Sequence, residues 1–445
     1  MTDDRDARAQ PGTTARHVAV PPAGTRPHAA RGGLRGAGRA AAAARQRTLR
    51  EHNLSLVLRK VVDARDPVSR AAIATSTGLT RATVSTLVDR LIAVGMVVEL
   101  APVATSRAGR PAVPLAPARG TIAAVGLEVN VDYLGVRALD LAGDVVVERV
   151  QDGDFRHSDP TAVLDRLATL AGEVIAGLSA DGVQVAGAAL ALPGLVDRVT
   201  GPLRVAPNLG WRDVDVVGLL ATHPVLAGMP PLLGNEANLA ARAEAWARRH
   251  EGPLSFVYVS GEVGIGGAIV LDGEIFPGQH GWSGEIGHTV MGSGGDPDSG
   301  DTLEAIAGQD ALMSAAGLDP HAPLDALLEA AAAGEPDALR ALGRAGAALG
   351  TALANVVNIV DVGDVVLGGT YAALADHLDE AVRAQLRRRV LTAPWSEVRV
   401  GVARAGRYPA MTGAALAVLR AVVEDPAPWG PMAIEEPEPE AVGAG

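Results

Sequence analysis

The sequence predicts an α/β body in two lobes behind an N-terminal winged helix-turn-helix. Three observations carry this expectation. Short helices with apolar residues at spacings of three, four and seven run from Leu54 to Leu91. Beyond them, apolar strands alternate with helices and end in glycine-rich turns. Positive charge is concentrated in the first part and negative charge in the second.

In the first part, Leu54, Val57, Leu58 and Val61 give one helix an apolar face. A second helix starts at Ser69, an N-cap residue shortly after Pro67, with Ala72 and Ile73 as its apolar face and Thr77-Gly78-Leu79 as the turn. Thr80 caps a third helix whose inward residues are Val84, Leu87, Val88 and Leu91, and Gly95 ends it. Arg81, Thr83, Ser85, Thr86 and Arg90 are left facing outward, where hydroxyl and guanidinium groups suit a DNA major groove. Residues 96–100 read as a strand, and Ser106-Arg107-Ala108-Gly109-Arg110-Pro111 as a basic wing tip suited to a phosphate or a narrow minor groove. The expected DNA-contacting set is Ser69, Arg70, Thr80, Arg81, Thr83, Ser85, Arg90, Arg107 and Arg110. The competing reading, a helical bundle used for dimerisation, leaves the agreement of caps, turn, spacing and basic tip unexplained.

A formal net charge of −12 would by itself argue against nucleic acid. Its distribution reverses that argument. Residues 45–119 hold twelve Arg and Lys against five acids, and residues 1–44 hold seven against three, so the acidity resides in the rest of the chain. The chain has no cysteine, which excludes disulfides and a thiolate zinc site, and no metal or cofactor is expected. Apolar runs are interrupted before they reach the length of a bilayer span, and the N-terminus opens with acids and Arg. The expectation is a cytoplasmic protein without a membrane partner.

Four segments follow. Residues 1–44, rich in Ala, Gly, Pro and Arg, read as a disordered basic arm. Residues 45–117 form the winged helix, residues 118–424 the two-lobed body, and residues 425–445 an acidic disordered tail. Residues 111–117 read as a stiff, proline-spaced connector. In the body, strands over 122–127, 133–139, 145–150, 187–192, 256–260, 268–271 and 365–367 alternate with helices over 162–178 and 337–360, an arrangement that builds clefts between lobes.

Particular residues carry a family resemblance. The first part contains Leu49-Arg50-Glu51-His52-Asn53, Ser69-Arg70-Ala71 and Thr80-Arg81-Ala82-Thr83-Val84-Ser85. The body contains Leu192-Pro193-Gly194-Leu195-Val196-Asp197, Ala206-Pro207-Asn208-Leu209-Gly210-Trp211, Asn235-Glu236-Ala237-Asn238 and Gly284-Glu285-Ile286-Gly287-His288. With these, residues 45–423 resemble ROK-family transcriptional regulators of the xylose-repressor type. The resemblance implies a winged helix joined to a body of the actin/hexokinase, ribonuclease H-like fold, related to bacterial sugar kinases. It also places Asn235, Glu236, Glu285, His288 and Glu304 around a sugar, whose vicinal hydroxyls suit the paired hydrogen bonds of carboxylates and amides. For Glu285 and His288 the competing reading is a local role in fixing a loop.

The chain departs from the kinase members of that family at several points. Glu236 stands where they carry the Asp that acts as general base on the sugar hydroxyl. Glu128-Val129-Asn130-Val131-Asp132 replaces the phosphate-cradling Asp-x-Gly-Gly-Thr, adding bulk at Val131 and negative charge at Asp132. Glu262 and Val263 replace Gly and Thr in a second loop, Glu262-Val263-Gly264-Ile265-Gly266-Gly267, whose glycines are expected to preserve a hairpin. The cysteine cluster with which most members complete a zinc site is replaced by Gly294-Gly295-Asp296-Pro297-Asp298-Ser299-Gly300-Asp301, so the loop holding Glu304 loses a staple. The expected function is a non-enzymatic, sugar-responsive repressor of carbohydrate-metabolism genes, binding operator DNA as a homodimer or tetramer and released by a sugar effector. The alternatives are an ATP-dependent sugar kinase with a DNA-binding appendage and a constitutive DNA-binding protein whose body only dimerises.

Overall fold

The computed structural model describes residues 33–101, 113–197, 201–292 and 302–429, with side chains from residue 48 onward. The chain divides into two compact units, Met1–Arg50 and Glu51–Gly445. A helix over Gly33–Val62 starts within the segment expected to be structureless. The reason is local. The alanines of residues 40–44 have the highest intrinsic helix propensity of any residue type, and that preference needs no apolar periodicity.

In the winged helix, Ser69 caps the helix Arg70–Thr77 by accepting the Ala72 N–H at 3.1 Å, and Gly78 closes it with a φ of 73°. Thr80 caps the helix Arg81–Ala93 by accepting the Thr83 N–H at 3.1 Å. Val84, Leu87, Val88 and Leu91 are buried as their spacing predicts. In the shorter helix Ile73 and Ala74 are buried and Ala72 is exposed, because one residue rotates the face by about 100°. The strands Val68–Ser69, Pro114–Pro117 and Val97–Glu99 form one sheet with Pro114–Pro117 in the middle, antiparallel to both neighbours. The expected connector is therefore partly a central strand. Its prolines occupy the first and last positions, where a missing N–H costs the ladder least, and Leu115 between them is fully buried. The wing tip, with Arg107 and Arg110, lies outside the described residues.

The body repeats one topology. Its first sheet runs Leu232–Asn235, Gln184–Leu192, Ile122–Val129, Tyr133–Asp140, Val145–Asp152: an antiparallel meander of three strands flanked by two parallel ones. The second sheet has the same order in Arg399–Val402, Asp364–Gly368, Phe256–Gly261, Ile265–Leu271 and Glu274–Ile275. This duplicated plan is the ribonuclease H-like arrangement of the actin/hexokinase fold.

The helix Pro409–Glu424 returns from the second lobe to cover the first sheet and to pack against the helix Glu236–Arg248. Backbone meets backbone there. A Cβ on Gly126 would fall on the carbonyl oxygen of Met411, and one on Gly413 would fall on that of Leu239. Arg137, buried beneath the same helix, donates to the Tyr408 carbonyl and the Thr412 hydroxyl and pairs with Glu148. The winged helix shares this core: Leu54 and Leu58 belong to one apolar cluster with Leu419 and Val423. Ser55 Oγ donates to the Val423 carbonyl at 2.8 Å, and Thr121 Oγ1 to that of Gly95 at 2.6 Å. No helix among the described residues is long and apolar enough to cross a membrane.

Gly413→Ala is expected to destabilise the protein by about 1–3 kcal/mol through overpacking against Leu239. Gly343→Ala, in the middle of the helix Pro336–Val360 with open space at its Cβ, should instead stabilise by roughly 0.5–1 kcal/mol. Thermal unfolding of the two variants distinguishes close approach from simple helix propensity.

Candidate functional site

A cavity of about 100 Å³ opens between the lobes, and Asn235, Glu236, Glu285, His288 and Glu304 all line it. Asn235 ends a strand of the first sheet and caps the helix Glu236–Arg248. Its Oδ1 accepts the Asn238 N–H at 3.1 Å and its Nδ2 donates to the Gly194 carbonyl at 3.0 Å. Glu236 is the first residue of that helix. Glu285 and His288 bracket a tight turn anchored by buried Ile286. Burial raises the pKa of the Glu285 carboxyl, His288 opposes that rise and Glu304 adds to it. Glu304 Oε2 accepts the Ile265 N–H at 2.8 Å, which ties it to the cavity rim. Thr302 caps its helix and bridges Val290, and the Leu303 N–H bonds the Thr289 carbonyl at 2.9 Å. Backbone pairing thus holds Glu304 where the family resemblance implied a zinc staple. The acids Asp296, Asp298 and Asp301 lie outside the described residues, and among those described no group of three ligating side chains could hold a metal ion.

Glu236 belongs to a larger cluster that sequence reasoning did not assemble. Glu128 is 1 % exposed and accepts the Tyr133 hydroxyl at 2.7 Å. Glu262 accepts the Asn130 side-chain amide at 2.6 Å. Burial pushes Glu128 up to about 8, with the charge of Glu262 adding to the effect. Glu236 is held well above the ordinary carboxyl range by burial and then by Glu262 and Glu128. Glu262 is raised by burial against the hydrogen bond from Asn130. Three carboxyl groups sharing one desolvated spot cannot all ionise, so the cluster retains protons at neutral pH. The signal was present in the two loop departures at Glu128 and Glu262. Their convergence on Glu236 depends on how the two lobes face each other, which no local pattern encodes.

Steric constraints also account for the glycines of the second loop. A Cβ would meet Glu304 Oε2 at 2.8 Å from Gly264, Ala237 Cβ at 2.7 Å from Gly266, and Ile286 Cδ1 at 2.6 Å from Gly267. The loop closes an antiparallel hairpin in which Ser260 opposes Gly266 and Gly261 opposes Ile265.

On the winged helix, the predicted set divides. Arg81 and Arg90 are exposed on the helix Arg81–Ala93 and form no ion pair among the described residues. Arg70 is committed to Asp89 at 2.7 Å and to Glu99, bracing the two helices against the sheet. The hydroxyls of Ser69 and Thr80 cap helices, Thr83 pairs with Thr80 at 2.9 Å, and Ser85 is half-buried.

The ROK family model matches residues 125–421. The chain belongs to the ROK family. It is 28% identical to the putative xylose repressor of Caldicellulosiruptor sp. (strain Rt8B.4), over 80% of this chain and 92% of that protein. Among solved structures, it resembles a ROK family transcriptional regulator described as a homolog of the Escherichia coli MLC protein, with a TM-score of 0.70, 23% identity, and coverage of 85% of this chain and 97% of that one. The ROK hexokinase from Thermus thermophilus matches with a TM-score of 0.54 at 28% identity, over 66% of this chain and 97% of that one.

The carboxyl cluster makes stability depend on pH with a definite sign. Because the native state holds protons that the unfolded chain releases above about pH 4.3, the contribution of this cluster to stability should fall as pH rises from there. The share owed to Glu128 should level off above about 8, where that group has ionised. Glu128→Gln keeps an acceptor for Tyr133 and should flatten this fall in thermal unfolding, leaving the variant more stable than the parent at the alkaline end. Parallel pH profiles would show that the proton is held elsewhere.

Proposed function

We propose that this protein is a sugar-responsive transcriptional repressor that uses a kinase-like body as a sensor rather than as an enzyme. The observation that carries the reading is the lining of the interlobe cavity. Among the described residues it combines Asn235, Glu236, Glu285, His288 and Glu304, suited to sugar hydroxyls, with Glu262 and with no lysine or arginine. A phosphate would add negative charge to a group that already retains protons to relieve its own repulsion. The relatives named as repressors support regulation, and the hexokinase supports descent from a sugar-binding body.

In this reading Arg81 and Arg90, with Arg107 and Arg110 of the wing, contact operator DNA, and two or four copies act together on a two-fold symmetric site. The helix Glu236–Arg248 carries the signal. It starts at the cavity, and just beyond its far end Glu251 pairs with Arg65 of the winged-helix side at 2.6 Å. Closure on a sugar would move this helix and the DNA-reading surface together, so sugar and operator must weaken each other by the same factor.

A sugar panel is expected to contain at least one member that raises the melting temperature and lowers affinity for a duplex selected from random DNA. Glu285→Ala, at the cavity lining, should weaken that sugar by about tenfold. A folded protein whose DNA affinity no sugar changes would refute the mechanism. Sugar-dependent ATP turnover, lost on Glu236→Ala, would make it a kinase instead.

Arg81→Ala should weaken binding to the selected duplex by roughly 1–3 kcal/mol while leaving sugar-induced stabilisation intact. Arg70→Ala should act mainly on folding, because its partners are Asp89 and Glu99. Paired gel-shift and thermal measurements separate the two effects.

A further inference from the structure

A second cavity, of about 290 Å³, lies where the end of the helix Gly33–Val62 meets the body. Val62, Ala245, Trp246, Leu416, Leu419 and Val423 give it an apolar lining. It borders the helix whose first residue, Glu236, faces the interlobe cleft, so the two sites share one rigid element.

Arg242 sets the character of this cavity. Its Nε is buried without a hydrogen-bond partner, and its guanidinium forms no ion pair among the described residues. Burial, and then the nearby Arg420, depress its pKa against the opposing effect of Glu274 and Glu424. Withdrawing a guanidinium nitrogen from water without a hydrogen-bond partner is costly. The neighbouring cations are already engaged: Arg420 pairs with Glu274 and Glu424, and Arg249 stacks on Trp246 with its carbon 3.7 Å from the ring centroid. Arg59, Arg242, Arg249 and Arg420 face Asp63, Glu274 and Glu424 around the cavity, an excess of one positive charge.

We propose that this cavity binds a small organic monoanion, a carboxylate on an apolar body, with Arg242 as its charge partner. The lining takes the body, and the planar guanidinium fork takes the carboxylate in a bidentate pair. One excess positive charge matches a carboxylate, whereas a phosphate dianion would leave charge uncompensated beside Glu274 and Glu424. The cavity volume is near the lower end of ligand pockets, roughly 300 Å³. The site is separate from the sugar cleft in place and in chemistry, and it does not depend on the identity of the effector there.

The test titrates the full-length protein with phenylacetate and octanoate, using phenylacetamide as the uncharged control and phenyl phosphate as the dianion. Calorimetry should show the carboxylates binding at least about tenfold more tightly than either control, and Arg242→Met should weaken them by a similar factor. Binding should change the fluorescence of Trp246, and Trp246→Phe should abolish that change. Equal binding of acid and amide, no binding of either carboxylate, or an unaltered signal in Trp246→Phe overturns the proposal. The comparison of acid with amide on the parent protein decides the matter whether or not Arg242→Met folds.

Discussion

The close seating of the helix Pro409–Glu424 is the constraint on which the rest of the molecule depends. Gly126 brings it down onto the first sheet, Gly413 lets the helix Glu236–Arg248 lie on its other side, and Arg137 fastens its first turn. Because the three layers touch through backbone atoms, they have little freedom to slide past one another. The helix that begins at Glu236 is therefore held in register with the first lobe at one end and reaches the winged helix at the other. Buried Glu244 strengthens that hold by pairing with Arg248 and accepting the Arg404 and Ala405 N–H groups at 2.6 and 2.9 Å.

The interlobe cleft keeps the shape of the family's body while gathering carboxyl groups at its centre. The hairpin glycines remain because Ala237, Ile286 and Glu304 occupy the space their side chains would need. Glu262 and Glu128 alter the electrostatics instead, since burial raises the pKa of both carboxyl groups. Asn235, Glu285, His288 and Glu304 stand outside this carboxyl cluster, whereas Glu236 belongs to both groups.

Much of this was legible in the sequence where a local pattern suffices. The caps at Ser69 and Thr80, the inward residues Val84 to Leu91 and the body strands follow from short-range chemistry and periodicity. The gathering of Asn235, Glu236, Glu285, His288 and Glu304 at one cavity was legible only through family resemblance, since they come from four separate elements. Three features were hidden for specific reasons. Arg70 reads as a free cation until Asp89 and Glu99 are seen to converge on it. The Glu128, Glu236 and Glu262 cluster forms only when two lobes face each other. Proline at both ends of Pro114–Pro117 argues for a connector, yet Leu115 supplies the one buried side chain that a three-stranded sheet needs at its centre.

That short strand has a bearing on how such sensors can be recombined. Only four residues separate Pro117 from Ile122, the start of the first body strand, and Thr121 is itself bonded back to Gly95. A chimera spliced within the proline-rich stretch would leave the donor reader without its middle strand and give the recipient body an orphan one. The workable seam lies just past Pro117, and even there a graft must carry matching partners for Val423 and Thr121, or the transplanted head will hang loose from its new sensor.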